Sequence, residues 1–236
     1  GSNEKGRFAL YWSQPTPGQL TSMPLPEKDI ADTSTGPSGE AANAWFTCPR
    51  TTLKPCVIEP YFYTIDGQNV LMTSIVFPLI LNGKLIASLS VDINLNSLQT
   101  ISQNASKKLY DGQTSVSILS PAGLLAGYSP DASKLSQRLE TVDKTNGAEL
   151  VRMLAASSKT ASLHSQQQLK VLSPFQPIPG GKTWGVLLDV PEKVLVGPAE
   201  ALKKQLDESN TAGTLTELAL GVLAALIGLL LVWLMA

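Results

Sequence analysis

Three apolar runs separated by two turn signals make up the most legible part of the chain. Residues 56–63 ("CVIEPYFY"), 69–81 ("NVLMTSIVFPLIL") and 84–93 ("KLIASLSVDI") are rich in β-branched and aromatic side chains and predict strands. Asp66-Gly67 and Asn82-Gly83 supply the positive φ angles of tight hairpin turns. The three strands are therefore expected to form an antiparallel meander, whose apolar positions need a cover on at least one face. Upstream, "RFALYW" (7–12) predicts another strand. Residues 13–46 are dominated by Pro, Gly, Ser and Thr and predict a long loop, of the kind that carries function or moves. Downstream the period changes: Leu95, Leu98, Ile101 and Ala105 share one face of a helix predicted over 94–110, with Asn94 or Asn96 as its cap.

The theme returns in residues 111–191. "TSVSILS", the turn "PAG" and "LLAGYS" predict a hairpin; "DASKLSQRLETV" and "NGAELVRMLAA" predict helices. "KTASLHS", "QQLKVLSPFQPIP" and "KTWGVLLDVP" predict three more strands, with Gly180-Gly181 turning between the last two. Two mixed α/β units with antiparallel sheets are expected, over residues 3–110 and 111–191. A connecting helix follows over 192–213, with an interruption at Gly197-Pro198. From residue 218 to 236 no side chain is charged or strongly polar. At 1.5 Å per residue that run extends roughly 28 Å, about one hydrocarbon core, so a membrane-spanning helix is expected over 214–236.

Composition narrows the function. Eighteen basic and 19 acidic residues give a net charge of −1, without the basic excess of a nucleic-acid binder. The single histidine, His164, stands far from both cysteines in sequence, so a zinc site with four protein ligands is excluded. No Ser, Cys or His is paired with a plausible base, which argues against an enzyme. "PGGKT" lacks the first glycine of a phosphate-binding loop and reads as a turn. Cys48 and Cys56, with Pro49 and Pro55 between them, predict a disulfide and an oxidising, extracytoplasmic compartment; two free buried thiols are the alternative.

"RFALYW", "AWFTCPR", "VIEPYFYTIDGQNVLMTSIVFPL", "GKLIASLSVDINLNSLQ" and "SVSILSPAGLLAGYSP" resemble the double Cache sensor domains of bacterial methyl-accepting chemotaxis receptors. The resemblance covers residues 6–210 and is most specific in the first unit. It implies two PAS-like modules, a membrane-distal one with a ligand pocket and a proximal one. It also implies a long N-terminal helix, a transmembrane helix after the sensor, and a cytoplasmic HAMP linker and signalling tip. Set against that pattern, the chain is expected to be a piece without the first span, most of the long helix and the cytoplasmic part. A homodimer in the inner membrane with a periplasmic sensor region is implied.

In amino-acid-binding members of the family an R-x-W element holds the ligand carboxylate, and a Tyr and an Asp hold its ammonium. The Trp matches Trp45, the Tyr matches Tyr61 at the same spacing, and the Asp matches Asp92. The Arg position falls on Asn43, so the expected pocket has no guanidinium. Trp45 offers an aromatic face to a cation or a flat ring. Tyr61 and Tyr63 offer hydroxyls, Asp92 a carboxylate for an amine, and Glu59 a second acid. The expected ligand is a cationic amine, a polyamine or histamine-like molecule. A purine stacked on Trp45 and read by Asn43 comes second, and an amino acid third. No cofactor or metal is expected. The same sensor attached to a histidine kinase or diguanylate cyclase, a membrane-anchored enzyme, and an adhesion module are the competing classes.

Overall fold

The computed structural model of the chain describes residues 1–65 and 67–208. Residues 1–190 form one compact unit. It opens on a hairpin of β1 (Leu10–Thr16) and β2 (Gln19–Pro24), followed by short α1 (Glu27–Ile30) and α2 (Ala44–Thr52). The segment expected as loop, 13–46, thus holds most of a strand pair, all of α1 and the start of α2.

The first main sheet contains β3 (Cys56–Val57), β4 (Tyr61–Ile65), β5 (Gln68–Leu81) and β6 (Lys84–Asn94). The 14-residue β5 is its axis, pairing antiparallel with the other three. The strand expected over 56–63 is broken in two over residues 58–60, where Pro60 has no amide to give a ladder. Asn82 and Gly83 both have positive φ, 49° and 74°, as the predicted β5–β6 turn requires.

Helix α3 (Leu95–Lys108) starts at Asn94, whose side chain accepts the Asn96 amide. Its buried face is Leu95, Gln99 and Ser102, while Ile101 is 57% exposed, so the stripe predicted through Ile101 is displaced. The Gln99 amide explains the shift. It donates to the Tyr128 carbonyl (2.8 Å) and accepts the Tyr128 amide (2.7 Å), as a neighbouring strand would.

The second sheet runs in the order β8 (Leu125–Tyr128), β7 (Ser115–Leu119), β11 (Trp184–Pro191), β10 (Gln168–Phe175), β9 (Ala161–Ser165). The first predicted helix of this unit is reduced to a single turn at Ala132–Lys134 and α4 (Leu139–Val142); α5 (Gly147–Ala156) follows. Leu139, Leu150 and Leu154 pack on Leu119, Leu125, Leu172 and Leu187. The Lys170 ammonium is clamped between Asp143 (3.2 Å) and Asp189, fastening the end of α4 to two strands. A further core joins the two sheets: Val57 and Leu95 from the first half pack with Ile118, Ala126, Ile178 and Trp184 from the second.

From residue 192 a helix, α6, runs unbroken to residue 208, so Gly197-Pro198 does not interrupt it. Among the described residues no helix is long and apolar enough to cross a membrane. The span expected over 214–236 lies outside them.

Candidate functional site

Period-two alternation and the strand register collect a polar set on one face of the first sheet. Tyr61 pairs with Met72, Tyr63 with Val70, and Ser74 with Asp92. Paired residues point to the same side, so Tyr61, Tyr63, Ser74, Val76 and Asp92 share a face. A cavity of about 790 Å³ opens there, walled by β4, β6, Tyr11 and Trp12 of β1, and Trp45, Phe46 and Arg50 of α2. That volume suits a small-molecule site.

The floor is a directed hydrogen-bond chain. Ser74 Oγ donates to Asp92 Oδ1 (2.6 Å), so it accepts the Tyr61 hydroxyl (2.7 Å). Ser90 Oγ adds a second bond to the same oxygen (3.1 Å). Nearby, the Tyr63 hydroxyl donates to Asp29 Oδ2 of α1 (2.8 Å). Burial first, then Asp92, pushes the Tyr61 hydroxyl well above the usual tyrosine range. Burial and the bond to Asp29 do the same at Tyr63. Both therefore stay protonated and act as donors.

Another part of the wall is cationic. Phe46 carries the Arg50 guanidinium 4.7 Å from its ring centre and that of Arg7 at 5.4 Å. Arg7 is also gripped by both oxygens of Glu27, at 3.1 and 3.0 Å. Trp45 meets Phe46 edge to face at 5.9 Å. It packs with Cys48 and Tyr61 against Cys56, Ile58 and Val76. Cys48 and Cys56 are joined in a disulfide, which ties the helix bearing Trp45 to the edge of the sheet.

Of the residues chosen from the sequence, Trp45, Tyr61, Tyr63 and Asp92 line this cavity. Asn43 and Glu59 do not. Asn43 is buried off the cavity wall, with its side-chain amide donating to the Ile30 carbonyl (2.8 Å). Counting in twos from Tyr61 would put Glu59 on the pocket face, but Pro60 breaks the strand. Glu59 instead accepts the Ala122 amide of the second sheet's β7–β8 turn (3.0 Å). The expectation of a pocket without guanidinium is also corrected, since Arg7 and Arg50 are both on the wall. Neither followed from strand alternation, and Ser74 and Asp29 were missed for the same lack of a motif.

Residues 2–100 match the family profile described as methyl-accepting chemotaxis protein-like, first PDC sensor domain. The chain is 53% identical, over its full length, to the methyl-accepting chemotaxis protein TlpQ of Pseudomonas aeruginosa. It spans about a third (33%) of that relative's length. A solved structure, "Methyl-accepting Chemotaxis protein X", is 25% identical with a TM-score of 0.59, over 79% of this chain and 64% of the other. The periplasmic sensory domain of the Campylobacter jejuni chemoreceptor Tlp1 shares the fold at 12% identity, with a TM-score of 0.62 over 83% and 67% of the two chains. Residues 2–100 thus form a PDC (Cache) sensor domain of the methyl-accepting chemotaxis protein-like family, in a chain whose paired antiparallel sheets share the fold of solved chemoreceptor sensor domains.

Proposed function

We propose that the chain is the periplasmic sensor of an inner-membrane chemotaxis receptor and that its cavity takes a small cationic amine, a polyamine or a histamine-like molecule. The observation carrying this reading is Asp92: a carboxylate on the cavity wall, held through one oxygen by Ser74 and Ser90. A pre-oriented carboxylate binds an ammonium through charge-assisted hydrogen bonds. Asp29 behind Tyr63 adds a second negative charge nearby, and Trp45 and Tyr61 provide aromatic faces for a cation. Residues 3–110 form the distal, ligand-binding module in this reading, and residues 111–191 the proximal one. The signal leaves through the helix over 192–213 and a span over 214–236, in a homodimer. Ligand shifts signalling only by binding one state better than the other.

Arg50 on the same wall favours a second reading, an α-amino acid with its carboxylate on Arg50 and its ammonium on Asp92. A purine has less support, because Asn43 is committed to Ile30.

Thermal unfolding with putrescine, spermidine, histamine, adenine and a set of amino acids separates these readings. A ligand at 100 times its Kd stabilises by about 2.7 kcal/mol, a shift of a few degrees for a domain of this size. Amines are expected to raise the melting temperature in the wild type and not in Asp92→Asn. A rise with amino acids alone, lost in Arg50→Gln, would replace the amine by the zwitterion.

A further inference from the structure

Two of the cavity's aromatic residues each have an acidic residue a few positions upstream, and both acids reach the second sheet. Glu40 lies five residues before Trp45. Its Oε1 accepts the Lys182 ammonium (2.8 Å) from the connection between β10 and β11. Glu59 lies two residues before Tyr61. Its Oε1 accepts the Ala122 amide (3.0 Å), and its other oxygen is buried without a hydrogen-bond partner. The acids are themselves joined, because the Glu59 backbone amide donates to Glu40 Oε2 (2.8 Å). Arg138 also reaches this point, donating to the Ala122 carbonyl (3.3 Å). The arrangement is continuous from Trp45 and Tyr61 to Ala122 and Lys182.

We propose that Glu40, Glu59, Lys182 and the Ala122 turn form a polar latch that couples the segment enclosing the cavity to the second sheet. Movement of Trp45 or Tyr61 around a ligand changes the strain on Glu40 and Glu59. Those acids pass it to Lys182 and to the β7–β8 turn. The coupling is reciprocal, so the state of the second sheet sets the affinity of the cavity. The buried, half-satisfied Glu59 suits this role. A carboxylate with one unpartnered oxygen has a poor resting arrangement, and a small displacement can improve or worsen it. The ligand-driven part of this inference rests on the amine reading above; the latch itself does not.

Hydrogen–deuterium exchange on the full chain, with putrescine as the probe, tests both parts. In the wild type the probe is expected to slow exchange in residues 61–65 and also in residues 120–124. In the Lys182→Met/Glu40→Gln double variant the effect at 61–65 should persist, and that at 120–124 should fall by about fivefold, the low end of site-to-site coupling. Without probe, the double variant should exchange faster than wild type at 120–124. Slowing at 61–65 with no change at 120–124 in the wild type overturns the latch as a route for the signal. No slowing at 61–65 counts against the amine alone. The probe-free comparison then decides, and equal exchange at 120–124 in both chains overturns the latch.

Discussion

Ser74 is fully buried and stands between the Tyr61 hydroxyl and the Asp92 carboxylate. Removing its hydroxyl leaves two partners short of a bond at once. Ser74→Ala should therefore cost about 1–3 kcal/mol of stability, read from urea unfolding. If the cavity takes an amine as proposed, the same change should also weaken putrescine binding, because Asp92 loses one of the two hydroxyls that orient it. Glu59 makes the opposite kind of prediction. Burial, with the Glu40 charge beside it, raises its pKa above the ordinary glutamate value, against opposing pulls from Ser120, the Ala122 amide and Lys182. The folded chain thus holds this proton more tightly than the unfolded chain does. The resulting stability is complete below the unfolded pKa and is lost as pH rises through the raised folded value. Glu59→Gln cannot titrate. Its melting temperature should gain on the wild type's as pH is raised from about 4 to about 7, across and above the ordinary glutamate range. A constant difference over that range would contradict the assignment.

Among the elements, α2 depends most on a single covalent link. It has nine residues with Pro49 inside it, and proline leaves a helical carbonyl without its donor. The disulfide to β3 holds it in place. Closing so short a loop contributes about 2–3 kcal/mol in the chain-entropy model. The Cys48→Ser/Cys56→Ser pair should lose about that much in chemical denaturation, and should bind ligand more weakly because Trp45 is less firmly placed. The contact of α3 with β8 is equally demanding. A Cβ on Gly127 would lie 2.3 Å from Ser102 Oγ and 2.9 Å from the Leu98 carbonyl oxygen. Backbone cannot swing aside as a side-chain tip can, so Gly127→Ala should destabilise by about 1–3 kcal/mol, measurable by thermal unfolding.

The same elements explain what could and could not be read from the sequence. β5, β6 and their Asn-Gly turn were legible because composition and turn chemistry agree there. Helix α2 was not, since Pro49 and the polar residues before it look like loop. The placing of Asp92 shows a finer limit. Counted from the Leu81–Lys84 pair at the turn, Asp92 would sit opposite Thr73, with its side chain on the far face. A register shift between Leu79 and Ile80 moves its partner to Ser74. One irregular residue pair puts the carboxylate in the cavity, and no propensity predicts it. The family resemblance pointed to Asp92 without that count. It could not supply Arg50, which reaches the cavity from α2, or Asp29, which reaches Tyr63 from α1, because the placement of both helices is set by tertiary contacts.

For the unit of residues 1–190 the deciding feature is the core shared by the two sheets. Val57 and Leu95 are 5% and 0% exposed, and Trp184 on the second sheet is 3% exposed. Neither half can open without uncovering apolar surface on the other. Residues 1–190 are therefore expected to unfold in one cooperative transition, seen as a single calorimetric peak. Two resolved peaks would mean that the sheets are separable.

That shared core also bears on receptor engineering. Exchanging the first module for one of another specificity, with the splice near residue 110, looks like a clean cut between two sheets. It would in fact set a foreign surface against Ile118, Ala126, Ile178 and Trp184. A working hybrid sensor would have to carry the native counterparts of Val57, Leu95, Glu40 and Glu59 across the junction, so specificity is better changed inside the cavity than by trading modules.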